Sequence, residues 1–175
     1  MQPEMARWRA WLATRARVTG RYTGTTDQIF EWAACKWGLS ADLLRAVALQ
    51  ESGWHQAMIG DDGQSFGIMQ IKDHDADGVP AWGGYPDTRA DTALNVDFYA
   101  AYLRSCVDGD FYDGGTWLYG GRRVPDLIAE RGADFVTWGC VGSWYSGHWY
   151  DAGARTYIGR VQSRLSARAW EAPAG

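Results

Sequence analysis

The 175-residue sequence is short of several features, and each shortage excludes a class of protein. No apolar run approaches the ~20 residues that a bilayer-crossing helix needs. Basic residues form no stripe, and the net charge is −4, so nothing favours nucleic acid as a partner. With three histidines and neither an HExxH pair nor another ligand spacing, a zinc hydrolase has no foothold. Ser52 lacks a G-x-S-x-G setting, which excludes the usual serine-hydrolase elbow. Cysteine is scarce: Cys35, Cys106 and Cys140 allow at most one bridge and a free thiol, or three buried thiols. Of the pairings, Cys106 with Cys140 is preferred. Sustained period-two alternation, internal repeats and low-complexity linkers are all missing, which leaves little room for a β-rich or repeat architecture. The N-terminus has neither an h-region nor a small-residue cleavage site, so a leader, if one existed, has been trimmed.

What is present is helical. Thr25 or Thr26 can cap a helix over "DQIFEWAACKWG" that stops at Gly38, and Ser40 caps the next, which ends before Gly53. "DTALNVDFYAAYLRSC" sets Leu94, Phe98, Ala101 and Tyr102 on one face. "VPDLIAERG" is a short helix between Pro125 and Gly132, and "GARTYIGRVQSRLSARAW" carries an apolar stripe through Ala154, Tyr157, Ile158, Val161 and Leu165. A further helix is expected within residues 1–25, as an N-terminal extension. The expectation is one mainly α domain over residues 1–175, ordinary for a chain 46% hydrophobic and 22% charged. Its longest irregular segment lies between Gly53 and Asp91, and a loop of that length is usually functional.

Two features suggest chemistry. In "LLRAVALQES", Glu51 follows Ala48, Val47 and Leu44 at helical spacing, which puts a carboxylate on the apolar face. Lost hydration and the negative end of the helix dipole both favour its protonated form, as a glycosidase general acid requires. A buried acid that caps a backbone N–H or pairs with an arginine is the bland alternative. The second feature is aromatic wealth, 11 Trp and 9 Tyr, grouped as Trp82 with Tyr85, Trp117 with Tyr119, and Trp144, Tyr145, Trp149 and Tyr150. Rings with an apolar face and a polar handle suit sugars. The last group, rich in Gly and Ser, is expected as a cleft wall rather than core.

"ES" at Glu51–Ser52 followed by "DDGQSFGIMQIK" at Asp61–Lys72 resembles the catalytic core of the soluble lytic transglycosylases and goose-type lysozymes. "SWYSG" at Ser143–Gly147 and the later Tyr157 and Val161 are similar to that family's C-terminal "A-Y-N-A-G" and "Y-x-x-x-V". The resemblance spans about residues 26–165 and implies a lysozyme-like α fold acting on peptidoglycan glycan strands. It implies Glu51 as the general acid. Ser52, Ser65, Phe66, Met69, Gln70, Trp144, Tyr145 and Tyr157 follow as substrate-binding residues, and Trp144 aligns with the family tyrosine.

Lytic transglycosylases use one carboxylate. It protonates the glycosidic oxygen between N-acetylmuramic acid and N-acetylglucosamine, and the 2-acetamido group steadies the cation. The same acid then takes the C6 hydroxyl proton to close a 1,6-anhydro ring. Goose-type lysozymes hydrolyse with inversion through water-activating aspartates. Asp61 matches one of these, whereas the other position holds Lys72. Transglycosylase is the favoured expectation, with Asp61-assisted hydrolysis as the alternative and a non-catalytic glycan-binding or phage-structural domain as a competitor of another class. A monomer acting outside the cytoplasm, without a required cofactor, follows from the resemblance. "DHDADG" offers Asp73, Asp75 and Asp77 to calcium, but Gly84 stands where an EF-hand needs glutamate, so an acidic turn is the alternative.

Overall fold

The computed structural model describes residues 12–72, 87–109, 119 and 122–171, and it is mainly helical, as expected. The chain separates into two compact units, each assembled from two stretches. Among the described residues, 18–72, 87–100 and 161–171 form one, and 12–17, 101–109, 119 and 122–160 form the other.

In the first unit, α1 (Thr26–Trp37) and α2 (Ala41–Ser52) begin and end where their caps dictate. Thr25 makes a full capping box with Gln28, and Ser40 accepts from the Leu43 N–H. Gly38 and Gly53 close the two helices in the left-handed conformation. Ile29, Phe30, Ala33, Leu44, Val47 and Ala48 supply the apolar packing. At its edge the buried Arg45 of α2 reaches Asp27 at 2.7 Å, Asp42 at 2.8 Å and Glu31 at 3.2 Å.

The segment read as a long loop contains a small antiparallel sheet: β1 (Ile59–Gly60), β2 (Ser65–Phe66) and β3 (Ile71–Lys72), in that order. Ile59 pairs with Phe66, and Phe66 with Ile71. Strands of two residues are too short to show alternation in sequence. The one-turn helix α3 (Asp87–Ala90) leads into α4 (Thr92–Asp108).

Asp97 of α4 is fully buried, yet it is satisfied four times. Lys36 Nζ and Trp37 Nε1 donate to it at 2.6 Å, and the Thr19 and Gly20 amides at 2.8 and 3.1 Å. Those amides fasten the segment before α1. A helix does occur in the N-terminal stretch, at residues 12–15, but residues 18–25 are not helical.

The second unit contains α5 (Val124–Arg131), α6 (Ala133–Ser146) and residues 152–160 of α7 (Ala152–Ser166). Cys106 and Cys140 form a disulfide, and Cys35 is an exposed free thiol, which decides between the cysteine alternatives. Helix α6 was not legible, because Gly139 and Gly142 disfavour a helix. A Cβ on Gly139 would stand 2.5 Å from the Trp149 ring, and one on Gly142 2.8 Å from Ile158 Cδ1. Both glycines exist for close packing. Within the group expected as a cleft wall, from Trp144 to Tyr150, α6 runs to Ser146, Tyr145 is exposed, and Trp149 is buried against Gly139.

Candidate functional site

Glu51 is the penultimate residue of α2 and is half-buried, beside a helical face whose Leu44, Val47 and Ala48 are fully buried. The chain then turns sharply through two left-handed residues, Gly53 and Trp54. A tryptophan in that region is strained. It is held there by the hydrogen bond from its Nε1 to the Arg45 carbonyl at 3.0 Å and by its contact with Phe30.

Ser52 organises what comes next. Its hydroxyl donates to the Ile68 carbonyl at 2.9 Å, with the Ala48 carbonyl at 3.3 Å, and accepts from the His55 amide at 3.1 Å. His55 Nδ1 lies 3.0 Å from the Ser52 carbonyl, which can only accept, so Nδ1 carries the proton. The residue beside Glu51 is thereby tied directly to the 67–70 turn.

That turn is clamped by two amides that sequence reasoning did not single out. Asn95 of α4 is fully buried; its Oδ1 accepts from the Met69 amide at 2.8 Å, and its Nδ2 donates to Phe66 at 3.1 Å and Thr88 at 3.0 Å. Gln56 accepts from the Ile68 amide at 3.2 Å and donates to the Thr88 and Arg89 carbonyls. Gly67 has φ +82, and a side chain there would collide with the Asn95 amide. The signal for Asn95 was present: the residues four and seven positions later, Tyr99 and Tyr102, are buried, so an amide shares a core face.

Burial revises four of the substrate-binding expectations. Ser52, Ser65, Phe66 and Met69 are exposed by at most 4%: the Ser52 hydroxyl bonds backbone, that of Ser65 bonds Asp61, and the Arg89 guanidinium covers the Phe66 ring. Gln70, half-buried with φ +52, donates to the Gly67 carbonyl at 2.8 Å and the Met58 carbonyl at 3.3 Å. Its side chain lies so close over Gly60 that a Cβ there would clash.

Asp61 is exposed at the β1–β2 turn, with φ +48. Ser65 donates to it at 2.7 Å and Lys72 stands at 3.3 Å. The Ser65 hydrogen bond, against a smaller opposing effect of burial and helped by Lys72, holds its carboxyl below the usual carboxylate range.

In the other unit, Tyr145 is 63% exposed and stacks in parallel on buried Tyr157, centroids 5.2 Å apart. Trp144 sets its edge against Tyr102 at 4.8 Å, and the Tyr102 hydroxyl bonds Ser143 at 2.8 Å. Tyr157 therefore supports a ring rather than offering one. Asp73, Asp75 and Asp77, the calcium candidates, lie outside the described residues, as do Trp82, Tyr85 and Trp117.

A family model described as the transglycosylase SLT domain matches residues 28–116, just over half the chain. The match contains Glu51, the small sheet, Asn95 and Asp97, and ends before Trp144, Tyr145 and Tyr157. No curated protein and no solved structure matches the chain significantly.

Proposed function

Because the chain belongs to the transglycosylase SLT domain family, we propose that it cleaves the β-1,4 bond between N-acetylmuramic acid and N-acetylglucosamine in peptidoglycan, with Glu51 as the single acid and base. The observation that carries this reading is the setting of Glu51. It is a half-buried carboxyl at the end of α2, anchored through Ser52 to a turn whose backbone Asn95 and Gln56 hold. A group that must give up a proton and take another back needs a fixed position more than a strong charge.

Glu51 protonates the glycosidic oxygen as the bond to the muramyl C1 breaks, and the substrate's acetamido group steadies the cationic carbon. The Glu51 carboxylate then accepts the C6 hydroxyl proton while that oxygen attacks C1, which closes the 1,6-anhydro ring and restores the acid. No cofactor enters this scheme.

The alternative ending, water attack with inversion, needs a second carboxylate as base. Asp61 is poorly equipped, since its depressed pKa makes it a weak base and Ser65 and Lys72 occupy it. Lys72 also stands where goose-type enzymes carry their second aspartate. We assign substrate contact to Gln70, Trp144 and Tyr145. The disulfide and the wall substrate together support action outside the cytoplasm, and we take the acting species to be a monomer. No helix of the described residues is long and apolar enough to cross a membrane.

The test is muropeptide analysis after digestion of purified peptidoglycan. Anhydro-muramyl ends are expected, and reducing ends would replace this ending with hydrolysis. Glu51→Gln is expected to lower cleavage by about 10²–10⁴-fold with an unchanged unfolding midpoint. Equal cleavage by that variant would defeat the assignment of Glu51, and no cleavage by the wild type would defeat the enzymatic reading.

A further inference from the structure

The second unit carries an aromatic and cationic cluster that the cleavage scheme does not use. Phe135 on α6 and Tyr150 after it stack with centroids 4.6 Å apart and planes 22° from parallel. Tyr119 sets its edge against both, at 5.3 and 6.1 Å. The Tyr150 hydroxyl donates to the Phe135 carbonyl at 2.6 Å, which locks the pair, and Tyr150 is held with φ +57.

Two exposed arginines cover the pair. The Arg131 guanidinium lies over Phe135, 4.4 Å from its centroid, and that of Arg155 over Tyr150 at 5.2 Å. A guanidinium over a ring face uses little of its hydrogen-bonding capacity there and keeps N–H donors for another partner. Among the described residues, neither arginine enters an ion pair, whereas Arg45, Arg104, Arg122 and Arg168 all do. The nearest acids in sequence are Glu130 and Asp151, but Glu130 pairs with Arg122, and Asp151 Oδ1 accepts from the Ala154 amide at 2.6 Å as a cap of α7.

A chain of net charge −4 gains nothing from long-range attraction to an anionic polymer, so such a ligand must be held by local cations. Two oriented guanidiniums flanking a ring stack present paired N–H donors to carboxylates, with apolar surface between them for aliphatic side chains. Peptidoglycan has that combination in its stem peptides, which alternate free carboxylates with alanyl methyls; the bare glycan lacks the repeated peptide carboxylates. We propose that Arg131 and Arg155 on the Phe135–Tyr150 stack form a binding site for the stem peptides of the wall polymer. The identity of the polymer rests on the function proposed above.

The test measures binding in the Glu51→Gln background, so that bound strands are not cut. Two ligands are compared, purified sacculi with intact stems and stripped sacculi, the glycan strands that an amidase releases, which keep only their lactyl carboxylates. The Arg131→Ala/Arg155→Ala pair is expected to weaken binding to intact sacculi roughly tenfold and to leave binding to stripped sacculi unchanged. The Arg131→Lys/Arg155→Lys pair keeps the charge but not the paired donors, and is expected to behave like the alanine pair. Thermal unfolding of each variant establishes that the unit is folded. Equal losses on both ligands, no loss on either, or full rescue by lysine would each overturn the proposal. If the arginine variants bind as the parent does while the otherwise wild-type enzyme still clears the wall, only this inference fails. A Glu51→Gln protein that binds neither ligand removes both this proposal and the function it rests on.

Discussion

The two units use glycine and polar groups for different ends. In the unit that holds Glu51, side-chain amides reach across to loop backbone: Asn95 and Gln56 hold residues 66–69, and elsewhere in it Asp97 gathers four donors. Gly67 leaves room for the Asn95 amide. In the other unit, glycines leave room for hydrocarbon, Gly139 beneath Trp149 and Gly142 against Ile158 and Ala154, and a covalent bridge joins α4 to α6. Hydrogen bonds have narrow geometric minima, so the first arrangement suits a reacting group. Ring packing and a disulfide give a firm surface without fixing one atom, which suits a platform.

That contrast is broken most sharply at the disulfide. Its 34-residue separation predicts a loss of about 3–4 kcal/mol on reduction or in a Cys106→Ser/Cys140→Ser pair, by loop-closure entropy. Hydrogen exchange is expected to show the loss in α5 and α6, with protection kept in α1 and α2. Equal loosening everywhere would mean that the two arrangements are not separate.

Asn95→Ala comes next. It leaves the Met69 amide and the Phe66 carbonyl without their partner, at a cost of about 2–4 kcal/mol by denaturant unfolding. Because those atoms belong to the turn tied to Ser52, cleavage is expected to fall further than stability alone explains, even well below the unfolding transition. A variant that loses stability but retains full turnover would show that the clamp does not position Glu51.

Gly139→Ala tests the other kind of glycine. Helix propensity favours alanine by roughly 1 kcal/mol, but overlap with the Trp149 ring opposes it. A net destabilisation of about 1–2 kcal/mol is expected by thermal unfolding, without effect on cleavage. A stabilised variant would show that the ring yields freely.

These residues also mark where sequence reading works. Helices α1 and α2 were legible because their ends are set locally, by Thr25, Gln28, Ser40, Gly38 and Gly53. Glu51 was legible because one helical turn of apolar residues gives its face, and the motif around Asp61 to Lys72 gave its context. Helix α6 was hidden, since the benefit of its glycines lies in Trp149 and Ile158, which only the folded chain brings near. The clamps were legible only in part: Asn95 shares a helix face with Tyr99 and Tyr102, but nothing local names what it holds. Asn95 and Asp97 stand one and three residues from Leu94 on a helix whose pattern advertised only apolar packing, and their partners come from distant segments. Ser52, Ser65, Phe66 and Met69 were expected at the substrate because a motif names residues without saying which way they face.

The smallest effect expected is at Asp61, and it bears on the chemistry. A carboxyl whose folded pKa is depressed adds stability above its unfolded value, near 4, and loses it as pH falls through the folded value. Asp61 is 57% exposed and Lys72 55%, so solvent screening keeps the gain under about 1 kcal/mol. Asp61→Asn is therefore expected to unfold slightly more easily than wild type at pH 7, with the difference vanishing once the pH falls below the folded value. Its cleavage rate should stay within about threefold of wild type, because a mechanism with one carboxylate does not call on Asp61. A hundredfold loss, together with reducing ends in the product, would make Asp61 the base that activates water. The first unit would then hold two reacting groups, and the hydrogen bond from Ser65 would be part of the chemistry instead of part of the turn.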